Sequence, residues 1–164
     1  MNIPTTTHPA PDWLRELTNA RTRYEELLGW PVCVEVQPRH VRVPVGAVLD
    51  AITMPASLGE QVLTELTVTM QAGPVTAGPN ADPWTFLTQP ATAPCPGTPA
   101  DLDRLEVRLL PRGAYANLPT QLDSGNDSAW RWIESPQLCQ SLPPWTAVIG
   151  ATRRVAAALV TSGR

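Results

Sequence analysis

The sequence predicts an α/β domain in the α+β sense: a single mixed sheet with helices packed on it. Three observations predict this. Apolar residues recur at helical spacing near both ends of the chain and once between them, and short β-branched runs alternate strictly in the intervals. A chain of 164 residues, 43% apolar, without an internal repeat or a linker, suits one domain with one core. The 19 prolines imply short elements joined by rigid turns rather than a helical bundle.

Residues 1–11 are rich in Pro and Thr, carry no periodicity and read as a flexible tail preceding a domain over 12–164. Asp12 is placed as the N-cap of a first helix whose apolar stripe is Trp13, Leu17, Ala20, Tyr24, Leu27 and Leu28. Gly29 stops it, and Trp30-Pro31 confirms the break. Val32, Val34 and Val36 then alternate with Cys33 and Glu35, and after Gln37-Pro38 the run 40–45 alternates through Val41, Val43 and Val45, which together read as a hairpin. Pro44 makes the second strand an edge or a short pairing. Residues 55–70 suit a second helix with Leu58, Val62, Leu63 and Leu66 inward. The β-branched Thr67-Val68-Thr69 ends it. Composition makes 72–83 and 89–100 loops, with strands over 84–88, 105–110, 114–118 and 129–133 and a turn at 120–128. A last helix covers 146–160, with Val148, Ile149, Val155 and Leu159 inward. The element order is α-β-β-α-β-β-β-β-α.

All 12 basic residues are arginine, a bias that high-GC coding explains. The absence of lysine excludes a Walker-type phosphate loop, a pyridoxal Schiff base and a protein-kinase site, each of which needs one. A net charge of −3 argues against broad electrostatic attraction to nucleic acid. Cys33, Cys95 and Cys139 are odd in number and far apart, so they make neither a disulfide framework nor a metal knuckle. No apolar run approaches membrane-spanning length and no leader pattern opens the chain, so no membrane association and a cytoplasmic location are expected.

No motif in the chain asks for a cofactor or a metal. His8 falls in the tail, and His40 is read as a turn histidine facing solvent. Asp101 and Asp103 have the spacing of a two-metal site, but Pro99 just before them makes them the first turn of a short helix. Asn126-Asp127-Ser128 is a turn. Trp130 and Trp132 share one face of a strand and Arg131 takes the other. Such a pair makes either a base-stacking platform or the apolar face of a sheet. Arg104, Arg108, Arg112 and Arg131 form an anion site only if their strands are neighbours.

Four segments in order resemble the bifunctional DNA primase/polymerase N-terminal (prim-pol) domain family. They are Leu28-Gly29-Trp30-Pro31-Val32; Val48-Leu49-Asp50-Ala51-Ile52; Leu105-Glu106-Val107-Arg108 with Gly113 to Pro119; and Trp130-Arg131-Trp132 with Leu142-Pro143-Pro144-Trp145. The resemblance implies a primase/polymerase-like fold. It makes Asp50 and Glu106 the vestigial catalytic acids and Arg108, Arg112, Arg131, Trp130 and Trp132 the nucleic-acid-binding candidates. The family binds metals with an acidic pair one residue apart and a later acid. Here Ile52 stands where the partner of Asp50 would be, and Asp82-Pro83-Trp84 replaces the family's glycine- and histidine-bearing turn. The segment around Asp50 reads as a strand on this alignment, or as a turn, since Gly46 and Pro55 bracket it. The expectation is a degenerate stand-alone member acting as a binding or adaptor module, with a protein partner favoured over nucleic acid. An active nucleotidyltransferase built on Asp50, Glu106 and Asp101 or Asp103, and a structural subunit of a larger assembly, are the rival expectations.

Overall fold

A computed structural model describes residues 8–91, 97–120, 130–138 and 140–163. The helices are α1 (Asp12–Leu28), α2 (Ala56–Val68), α3 (Ala100–Asp103) and α4 (Trp145–Ser162). The strands are β1 (Cys33–Glu35), β2 (His40–Pro44), β3 (Asp50–Met54), β4 (Val75–Ala77), β5 (Trp84–Thr88), β6 (Arg108–Leu109), β7 (Tyr115–Leu118) and β8 (Arg131–Glu134). The fold is α+β, as the sequence predicts. Instead of one mixed sheet, however, two sheets form: β1-β2-β7 and β6-β3-β5-β4-β8, with every pairing antiparallel. The split arises because β2 takes β7 as its second partner, Val41 opposite Leu118 and Val43 opposite Ala116. Alternation within a strand fixes its faces but not its neighbours.

The larger sheet is the middle layer. Its pleat sends Ala51, Leu87 and Trp132 to one side, where they join Leu17, Ala20 and Tyr24 of α1 and Val41, Val43, Ala116 and Leu118 of the smaller sheet. Ile52, Met54, Val75 and Phe86 go to the other side, under Leu58, Val62 and Leu66 of α2 and Val148 and Ile149 of α4. Residues buried consecutively along β3 and β5 therefore serve two different cores. At Gly59 of α2, an added Cβ would lie 2.8 Å from the ring of Trp84, so glycine allows the helix to sit directly on that indole.

Several boundaries differ from the sequence reading. Asp12 is the first helical residue and pairs with Arg15, while Pro11 occupies the cap position of α1. The N-terminus of α2 is capped from a distance: the carboxylate of Asp82 accepts the Ala56 N–H at 3.0 Å. β4 lies inside a segment that composition marks as loop, because Gly73-Pro74 and Gly78-Pro79 enclose three fully buried residues. The strand expected over 105–110 shrinks to two residues. α3 ends in a Schellman turn, in which the Val107 N–H bonds Leu102 and the Glu106 N–H bonds Asp103, with Glu106 in the left-handed region at φ 58°. Leu27 and Leu159, expected inward, are 45% and 51% exposed. The expected turn at 120–128 falls, apart from Thr120, outside the described residues, as do Cys95, Cys139 and the first seven residues of the tail.

Candidate functional site

Asp50 lies on a strand. It opens β3 opposite Thr88, and its carboxylate accepts the N–H of Ala91 at 2.8 Å. Two residues along, Ile52 is 1% exposed and packed beneath α2 and α4. The place where an acidic partner would stand is thus hydrophobic core. Glu106 is exposed and lies at the far end of β3, since β6 runs antiparallel and sets Arg108 opposite Thr53. At about 3.3 Å per residue, the two acids are roughly 10–17 Å apart along the strand. Carboxylates that share two metal ions must bracket a separation of about 4 Å. Asp101 is held by Arg153 through two hydrogen bonds, 2.8 and 3.2 Å, and the guanidinium keeps its carboxyl below the usual aspartate range. Asp101 and Asp103 lie on the short helix α3, not on a strand. Among the described residues, no group of three or more His, Cys, Asp or Glu side chains is placed to hold a metal ion. Asp50 and Glu106 are thus held toward opposite ends of β3.

Arg108 and Arg131 do not converge either. Arg108 and Arg131 belong to opposite edge strands of the larger sheet, four strand spacings apart, or about 19 Å. Arg112 is an exposed turn residue whose aliphatic stem lies against Gly46. Trp132 is 5% exposed and belongs to an aromatic cluster, its ring 6.3 Å from Tyr24 and 6.5 Å from Trp30. It cannot stack a base. Trp130 alone remains half-exposed, beside His40 and Arg39 in a cleft of about 170 Å³. There Arg39 is already engaged, its guanidinium 4.3 Å above the ring of Trp13.

The outer face of the smaller sheet is polar and carries an ion pair, while the buried Arg42 Nε has no hydrogen-bond partner among the described residues. Arg42 pairs with Glu35 and covers the ring of Tyr115 at 3.9 Å, and His40 stands opposite Glu35 in the register. Cys33, an exposed free thiol, is opposite Arg42.

The unexplained surface lies on the helical side. α4 has 18 residues, about 27 Å of helix, yet its buried residues are Val148, Ile149, Ala151 and Thr152, all in the first half. Beyond Arg154 the segment Val155 to Gly163 contains no charged residue, although most of it is exposed. Leu159 and Val160 are 51% and 72% exposed. Next to this helical half, the end of α2 exposes 76% of Val68. Between the helices runs an open groove of about 340 Å³ with Val68, Val155 and Ala158 on its walls, flanked by the Glu65–Arg154 ion pair at 2.8 Å. On α2 the lining residues Gln61, Thr64, Glu65 and Val68 follow i, i+3, i+4, i+7 and so form one stripe. The uncharged run 155–163 was the available sequence signal for this surface. Reading Leu159 as core concealed it.

Comparison with protein-family models, with curated proteins and with solved structures finds no match to this chain. Among the described residues, no helix is long and apolar enough to cross a membrane.

Proposed function

We propose that the chain is a protein-docking module: a primase/polymerase-like domain without a working metal site, kept for binding a protein partner through the free half of α4 and the end of α2. The observation that carries this reading is the uncharged, exposed half-helix. A helix face turned permanently to water is ordinarily charged or polar, whereas here Val68, Leu159 and Val160 stand exposed on neighbouring helices. Covering Val68 and Leu159 would contribute on the order of 3 kcal/mol of transfer free energy. A micromolar complex needs about 8 kcal/mol net, so the polar walls of the groove must contribute as well.

The dispersal of Asp50 and Glu106 supports a non-catalytic role for the primase/polymerase-like scaffold. The separation of Arg108 from Arg131 and the burial of Trp132 favour a protein over nucleic acid as the partner. The reading places the protein in the cytoplasm, where the exposed Cys33 thiol stays reduced.

The test is affinity capture from the cells that express the protein, with nuclease, using the wild type beside a Val68→Glu/Leu159→Glu double variant. A stoichiometric protein retained by the wild type and lost by the variant is the expected result. Capture that collapses on nuclease treatment, or that the variant leaves unchanged, overturns the proposal.

A further inference from the structure

We propose that the cleft between the end of α1 and the end of β8 binds a small organic cation, an ammonium or guanidinium on a short aliphatic stem. The cleft shares no lining residue with the α2/α4 groove, so this site stands apart from the docking reading. Its volume is about 120 Å³. A cavity of ~150 Å³ admits a guest the size of benzene, so the space suits a ligand of a few heavy atoms and not a folded partner.

The first argument is charge. Glu134, which closes β8, is the one ionisable side chain among the described lining residues. Its carboxylate has no ion pair or hydrogen bond among the described residues. Leu27 and Leu28, the last residues of α1, form part of the wall, so the negative end of that helix borders the same space. No basic residue lies in the last turn of α1 to offset it. A carboxylate and a helix C-terminus on one cleft favour a positive guest and disfavour an anion. Trp30 adds an aromatic wall, which also favours a cation.

The second argument is the form of the ligand. Leu27, Leu28 and Leu142 give the cleft apolar walls for a hydrocarbon stem. Gln140, Ser141 and Leu142 continue into a wider groove of about 380 Å³, where Gln71 and Gln89 are also uncharged. Neither space is lined by a basic side chain, so a carboxylate on the far end of the ligand would meet no counter-charge. The ligand class is therefore an aliphatic amine or guanidine, in preference to an amino acid.

A nuclear magnetic resonance titration with n-butylammonium tests the proposal, with n-butanol and γ-aminobutyrate as matched probes. n-Butylammonium is expected to shift the Trp30 indole and the Leu27 and Leu28 methyl resonances saturably, with a dissociation constant of ~1–10 mM. Trp84, which lies against α2, should not move. n-Butanol lacks the charge and γ-aminobutyrate adds a carboxylate, so both should bind at least about fivefold more weakly. Glu134→Gln keeps the shape of the side chain and should weaken n-butylammonium at least about tenfold. Ser141→Arg, at an exposed position on the rim, supplies an internal guanidinium and should block the site, while Glu60→Gln on α2 should leave binding unchanged. Absence of a saturable shift at Trp30 and Leu28 overturns the proposal. So does equal affinity for either matched probe, or binding that both Glu134→Gln and Ser141→Arg leave intact.

Discussion

Replacing Ile52 with aspartate would recreate, with Asp50, the acidic pair one residue apart that the sequence resemblance calls for. The structure gives the cost of doing so. Ile52 is 1% exposed and lies among Met54, Phe86, Val62 and Val148, between the larger sheet and the two long helices above it. Removing its branched side chain from such a site costs about 2–5 kcal/mol. A carboxyl introduced without a partner adds about 1–3 kcal/mol, even if it stays protonated. The sum, about 3–8 kcal/mol, is comparable with the whole stability of an ordinary domain, about 5–15 kcal/mol. Urea denaturation followed by circular dichroism should therefore show a large fall in midpoint, or no folded baseline. Ile52→Val, which keeps the shape, should lose only about 1 kcal/mol. An Ile52→Asp protein that folds with a wild-type midpoint and gains melting temperature with Mn²⁺ would refute the assignment of this position to the core.

Two further predictions concern single residues. Glu106 occupies the left-handed position of a Schellman turn, where a side chain costs about 1 kcal/mol and glycine costs little. Glu106→Gly is therefore expected to raise stability by about 0.5–1 kcal/mol in urea denaturation, and a clear loss would contradict the turn. Tyr24 is buried and donates its hydroxyl to the Pro119 carbonyl at 2.6 Å, and burial raises its pKa well above that of a free tyrosine. A raised folded-state pKa means that the unfolded chain loses this proton first. The associated stability is thus complete below about pH 10 and declines as pH rises above it. Tyr24→Phe should remove that alkaline slope, and a slope that persists in the variant would refute its assignment to Tyr24.

The legible parts of the fold were those in which local pattern and burial agree. The stripe Leu17-Ala20-Tyr24 and the stop at Gly29 define α1, the alternation around Val41 and Val43 defines the face of β2, and β5 spans the expected residues 84–88. Strand partners were not legible, because the pairing of β2 with β7 joins residues more than seventy positions apart and leaves no local trace. β4 was hidden by its glycine and proline flanks, and the end of α3 by a left-handed residue that is not glycine. The candidate site was misread for a related reason. Periodicity in α4 continues through Leu159, but the layer beneath it ends near Thr152, and where a core stops is a tertiary fact. The absence of charge from Val155 to Gly163 was visible throughout.

The central claim, that this chain binds a protein through the helical face, is tested most directly by hydroxyl-radical footprinting of the isolated protein against the complex purified from cells. The account predicts protection centred on Val68, Val155 and Leu159, with Arg108, Arg112 and Trp130 labelled equally in both states. Protection centred on Arg108, Arg112 and Trp130, with the α2/α4 face still open to labelling, would contradict it.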